Sequence, residues 1–582
     1  MRFKGCFRSC VAVSLLTVVV FALGVTGGHL GIDDWSYTYG CPFVKDGLTS
    51  SGIARAFSDF GYCSIWMPLT FLSYMADISL FGGGGWMAHH AVNVALHGFN
   101  AALVFLLLLT LLRRLASADG RTAVWSCAAA ALFWALHPMR AEAVTFVASR
   151  KEELWTLFTL AGLLVWIRFL DRGGAVRYLA AFACMVAGCL SKPTAMCFPL
   201  LAFLLQAVLT DRAFRRLWRY LPQLAVALVT GLIAVFSQAH PTGLAEAGVF
   251  DAALEWRFLN AAVALGLYVW HTVMPWGVHF DYRAVFGGWP VQGGLGLAAL
   301  GVTTLLTAWG VLYAPRRKIA VFAAAWFLFG LLPTLGIFGY VNGDQACADR
   351  YAYLPAIALS LPLAAGLLAV RGRFRWGLAA AAVAGEIALA VPAIRSFRSD
   401  AAAYARVLAR DPDHWRALRV LGNEYCARQG RMDEGVAMLR RSLRLHASQL
   451  TADSLAYVLA IRGKQGDLAE VKRLGAAVAH DFRKDVHGMM LDALAIAYMR
   501  EGDDRNAERL FRAALTVPRR NHSPGHSLLN LGLTLANLGR DAEARTMLGK
   551  ATEDVHPEVR ARAAAALDTL RSGGKRERFL WQ

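Results

Sequence analysis

Along the first 395 residues, apolar side chains arrive in long blocks, with polar residues confined to the short segments between them. A hydrocarbon core about 30 Å thick takes roughly 20 apolar residues as helix. On that measure the pattern predicts spans near 9–29, 87–112, 122–138, 153–169, 177–191, 194–210, 220–238, 292–314, 319–338, 353–370 and 375–393. A further apolar piece near 259–274 is ambiguous. The predicted fold class is all-α: a polytopic membrane helix bundle of about 11 spans over 1–395, with a first external loop at 30–86.

Basic residues orient the spans, since Lys and Arg gather in cytoplasmic loops. Five clusters qualify: Arg113, Arg114 and Arg121; Arg168, Arg172 and Arg177; Arg212, Arg215, Arg216 and Arg219; Arg316, Arg317 and Lys318; Arg371, Arg373 and Arg375. All five share one side only if 259–274 does not cross, but lies at the interface or re-enters. The N-terminus is then cytoplasmic and the C-terminus external. Arg2, Lys4 and Arg8 precede the first apolar run and no A-x-A-like site follows it, so the run is expected to be an uncleaved signal anchor.

Beyond residue 400 hydropathy falls, helix formers dominate, and Gly recurs at 430, 466, 502 and 539. Repeats of this period are stacked helical hairpins. The register is clearest in Leu494-Ala495…Tyr498…Gly502…Ala507…Phe511…Ala514 then Pro518, and in Leu531-Gly532…Leu535…Gly539…Ala542…Ala544. Leu421-Gly422…Tyr425…Gly430 opens the first unit, with one extra residue before its glycine. About four tetratricopeptide (TPR)-like repeats, an α-solenoid, are thus expected over 401–572, ahead of a basic tail at 573–582. Such arrays present a concave surface suited to a protein or peptide partner.

Composition agrees with the membrane reading: 57% of the 582 residues are hydrophobic and only 17% are charged, against about 25% charged in ordinary soluble domains. The net charge of +19 follows from the loop clusters and from contact with anionic membrane lipid, and is not a nucleic-acid signal. The ten cysteines form no CxxC and no Cys/His metal spacing; Cys41 and Cys63 share the first external loop, where a disulfide is chemically allowed.

Candidate chemistry concentrates on one face. The first external loop opens with Asp33 and Asp34 directly after a span, where repulsion and partial desolvation raise a carboxylate pKa and suit it to general-base work; a solvated turn with a helix N-cap is the alternative. His90, Asn93 and His97 share a face inside an apolar span, as a functional stripe or as interhelix hydrogen bonds. No carboxylate joins the stripe, so no metal site and no cofactor is predicted, although the acid pair leaves a divalent cation open. His137, Glu142 and Arg150 follow at the external ends of spans three and four, Lys192 between spans five and six, and Asp349, Arg350 and Tyr351 in the last external loop. Cleaving a lipid-linked sugar phosphate at headgroup depth needs cations for the departing phosphate, as Arg150, Lys192 or Arg350 would supply, and a carboxylate for the acceptor hydroxyl.

The ordered set DDxxY, W-x-P-L-T, H-x-x-N-x-x-x-H, HPxxxEAV, LSKP and ADRYxYLP, followed by the repeats, resembles the transmembrane and tetratricopeptide-repeat protein O-mannosyltransferases and their bacterial relatives, within the C-type glycosyltransferase superfamily. The resemblance implies inverting transfer of mannose or another hexose from a polyprenyl-phosphate carrier to Ser/Thr hydroxyls of exported proteins. It implies Asp33 as base, Asp34 supporting it, Glu142 as the second-loop acid and Arg150 as its companion arginine. The phosphate role of Arg150, Lys192 and Arg350 is inferred from their chemistry. Where relatives often carry an acid soon after the arginine, this chain reads Arg150-Lys151-Glu152-Glu153. The Ala- and Arg-rich composition suggests a bacterial inner membrane, a periplasmic repeat domain and undecaprenyl phosphate as carrier. Three other readings remain open: a non-catalytic membrane-anchored TPR scaffold, a transporter or flippase, and a glycosyltransferase that modifies a glycan lipid or polymer.

Overall fold

The computed structural model describes residues 2–31, 33–82, 85–210, 214–240, 254–283, 291–313, 317–337, 345–370, 372–427, 429–479, 488–517, 524–554 and 557–572. The basic tail, Pro518, and the loop residues Arg212, Arg316 and Arg371 lie outside the described residues. Among the described residues the regular structure is helical apart from one short antiparallel pairing of Tyr282–Arg283 with Gln345–Cys347. It divides into two compact units, Met1–Ala403 and Tyr404–Gln582.

Among the described residues of the first unit six helical stretches are long and apolar enough to cross a membrane: Cys6–Gly24, Trp86–Leu115, Val147–Arg172, Leu217–Ala239, Arg317–Thr334 and Phe374–Ser396. Shorter apolar helices occupy Arg121–Leu136, Ala175–Ser191, Pro193–Leu209 and Ile357–Ala369. The ambiguous piece is one continuous helix, Leu254–Val273, whose buried face packs on Val291–Tyr313. The helix Trp86–Leu115 packs on Arg2–Phe21 at Gly98, where an added Cβ would stand 2.6 Å from Val18 Cγ2; only a glycine permits that approach. The first loop is itself helical. Thr49 caps Ser50–Ser58 through its hydroxyl, and Pro68 opens Pro68–Phe81 at a position where no N–H is needed. Cys41 and Cys63 are free thiols.

The second unit is a succession of helix pairs: Trp415–Ala427 with Met432–Leu445, Gln449–Arg462 with Asp467–Ala479, Gly488–Glu501 with Asp504–Thr516, and Gly525–Asn537 with Asp541–Ala551, before a last helix Pro557–Ser572. The recurring glycines fall in the turns within each pair, with φ of +64° at Gly430, +87° at Gly466, +96° at Gly502 and +77° at Gly539. Leu439, Leu459, Ile496, Phe511, Leu531, Leu535 and Leu548 fill the shared core. A Cβ at Gly539 would meet nothing within 4 Å, so its conformation alone demands glycine. Gly539→Ala is expected to cost this unit about 1–2 kcal/mol, read as a lower melting transition of the full chain in detergent with no change in helical content.

Candidate active site

The site grows from the start of the first loop and the segment between two membrane helices, residues 137–153. Asp34 is buried and ties the two together: its carboxylate accepts from Leu30 N at 2.8 Å and from Ala148 N at 2.7 Å. Burial outweighs those two bonds and pushes the Asp34 carboxyl up to about 8. With a folded value above the unfolded one, proton binding favours the folded state. Stability should therefore fall as pH rises from about 4, the ordinary aspartate value, through about 8. Asp34→Asn should lack that slope, which unfolding against pH in micelles measures. Asp33, one residue earlier, differs: it is half-buried, stands at the N-cap of Asp34–Tyr37, and makes no capping hydrogen bond. The N-cap expectation is met in position but not in bonding.

Glu142 lies on the short helix Arg140–Thr145 and is fully engaged by the turn Asp349–Ala352. Arg350 N donates to Glu142 Oε2 at 2.8 Å, and the Arg350 guanidinium pairs with the other oxygen. Burial raises the Glu142 carboxyl and Arg350 opposes the rise. The turn carrying Arg350 is gripped from several sides. Tyr268 accepts from Ala348 N (3.1 Å), Tyr282 donates to Asp349 (3.0 Å), Arg140 donates to Ala352 O (2.9 Å), and Trp134 donates to Tyr353 O (2.9 Å). Lys192 pairs with Glu152, which also accepts from Trp155 Nε1 at 2.8 Å. Lys192 and Arg350 lie 4.5 and 4.8 Å from the centre of the Tyr351 ring, so one tyrosine organises both cations. Beside them Lys151 sits 4.3 Å from the centre of the Tyr37 ring and donates to its hydroxyl at 3.2 Å. Asp33, Arg350, Lys192 and Glu152 all lie within electrostatic reach of Lys151.

The structure thus brings together Asp33, Glu142, Lys192, Arg350 and Tyr351. It places Arg150 in a separate, closed network. There Arg150 is fully buried, pairs with Asp77 at 2.6 Å, donates to Asn93 Oδ1 (2.7 Å) and His89 O (2.9 Å), and stacks over Tyr74. Asp77 also holds His89 at 2.7 Å. The His90, Asn93 and His97 stripe reaches different neighbours: His90 the Gly28 carbonyl, Asn93 Arg150 and the Val144 carbonyl, His97 the Tyr353 hydroxyl and the Ala135 carbonyl. His137 Nδ1 accepts from Met139 N at 3.3 Å. Sequence reasoning passed over Lys151 and Glu152 as sites, although both adjoin Arg150. Asp77 was legible only as a lone acid in an apolar helix. Among the described residues no group of three or more His, Cys, Asp or Glu could hold a metal ion.

No family model matches the chain. Over 145 residues, 24% of its length, it is 32% identical to the protein O-mannosyl-transferase Tmtc2 of Drosophila melanogaster. The match covers 14% of that relative. The likeness is partial for both chains.

Proposed function

We propose that this protein transfers a hexose, mannose or another, from a polyprenyl-phosphate carrier to Ser/Thr hydroxyls of exported proteins. The observation that carries the reading is a half-exposed carboxylate, Asp33, beside a group of buried cations, with the acids Glu142 and Glu152 already committed to Arg350 and Lys192. A base that carries no ion pair among the described residues and a cluster of buried cations are what glycosyl transfer from a phosphate ester requires. Asp33 takes the proton of the acceptor hydroxyl as its oxygen attacks the sugar C1. The C1–O bond to phosphate breaks, and the phosphate keeps the electron pair, stabilised by Lys192 and Arg350. Attack opposite the leaving group inverts the anomeric centre.

On this reading the apolar helices make 11 crossings in a C-type glycosyltransferase bundle. The helix pairs of the second unit are TPR repeats that hold the acceptor on the periplasmic side of a bacterial inner membrane. Asp34, Asn93, Arg150 and the His stripe act as framework rather than chemistry, which the number of protein partners each already has supports. The test uses membranes containing the protein, a radiolabelled polyprenyl-phosphate hexose and endogenous periplasmic protein. Label reaching protein with the wild type, and not with an equally expressed Asp33→Asn variant, is the expected result. Label in lipid or polymer would change the acceptor. No transfer from any hexose donor, with the second unit still capturing protein, would sink the enzyme reading in favour of a scaffold.

A further inference from the structure

Three cations and three carboxylates share the candidate site, and their pairing is unequal. Lys192 is paired with Glu152, and Arg350 with Glu142. Lys151 is equally buried, at 8% exposure, yet among the described residues no carboxylate stands within ion-pair distance of it. Its ammonium group uses one of three donors, toward the Tyr37 hydroxyl at 3.2 Å, and rests on the face of that ring. Tyr37 is rigidly supplied: it belongs to the short helix Asp34–Tyr37, which Asp34 fastens to Leu30 and Ala148. A buried charge without a counter-charge is costly, and a bound anion beside it would offset that cost.

We infer that Lys151 is the principal contact for the phosphate of the lipid-linked donor. The inference rests on the function proposed above and deepens it. Lys192 and Arg350 shape the pocket while already neutralised by their acids. Lys151 has two N–H donors without a protein partner and no ion pair among the described residues, and Asp33 lies within its electrostatic reach. A phosphate seated on Lys151 therefore sits close to the base that activates the acceptor.

The test uses the purified full-length chain in nanodiscs, with polyprenyl monophosphate as binding probe and the polyprenyl-phosphate hexose as substrate. Lys151→Met keeps the apolar stem and removes the charge, Lys151→Gln keeps a donor, and Lys151→Arg keeps the charge. Losing a charged hydrogen bond should weaken polyprenyl-phosphate binding and raise the donor KM by about tenfold or more in Lys151→Met. Lys151→Gln should lie between, Lys151→Arg should recover most of the affinity, and uncharged polyprenol should bind all forms alike. Donor KM and polyprenyl-phosphate affinity within twofold of wild type in both neutral variants would overturn the assignment. So would a fall in kcat at unchanged KM with a shifted pH profile, which would make Lys151 a positioning group for Asp33. Equal Lys151-dependent binding of phosphatidylglycerol or inorganic phosphate would also remove the donor assignment. Lys151-dependent binding of polyprenyl phosphate, in a protein that transfers no sugar, would leave this inference standing and refute the transferase reading.

Discussion

Asp33→Asn is expected to lower sugar transfer by about 10²–10⁴-fold, the usual contribution of a general base, while leaving the melting temperature and donor affinity close to wild type. The separation of the two effects follows from where Asp33 stands. Its side chain is half-buried and makes no capping bond, so removing its charge breaks no cap. Asparagine is also a good N-cap, so the helix Asp34–Tyr37 keeps its start. The neighbouring Asp34 gives the contrast: it holds two backbone amides, and its replacement should act on folding before it acts on rate. Single-turnover transfer with saturating donor measures the Asp33 effect free of binding. A variant that keeps its rate would remove Asp33 as the base, and no other carboxylate of this cluster is unpaired enough to take its place.

The hydrophobic pattern made the apolar helices of the first unit legible, because the length of an apolar run is a direct consequence of bilayer thickness. The recurring glycines were equally legible, since a left-handed turn between two helices leaves few residue choices. The sites were legible as residue types but not as partners. Arg150 and Arg350 look alike in sequence; one is enclosed by Asp77, Asn93 and His89, the other faces Tyr351 across from Lys192. That difference depends on contacts between segments far apart in the chain, such as Glu142 with Arg350, which spacing within a segment does not encode. Lys151 was visible only as a departure from a pattern. Its meaning rests on the absence of a carboxylate within ion-pair distance among the described residues, which only three-dimensional structure reveals.

The second large effect is expected at the Glu142–Arg350 pair. Glu142→Gln leaves a buried guanidinium without its charge partner, and such losses cost about 3–5 kcal/mol; the variant should melt well below wild type and lose most transfer. The double variant Glu142→Gln with Arg350→Met replaces the pair by groups of similar volume, and buried pairs so replaced are often neutral in stability. Stability should therefore return in the double variant. Activity should not, because the cation beside Tyr351 is gone and Lys192 alone faces the ring. This split tells a framework acid from a catalytic one. If Glu142 acted directly on the substrate, Glu142→Gln would abolish the rate at nearly unchanged stability. If it works by holding the turn that carries Arg350, stability and rate fall together in the single variant and part company in the double. The bond from Arg350 N to Glu142 Oε2 argues for the second outcome, since it ties the carboxylate to the backbone of that turn as well as to its charge.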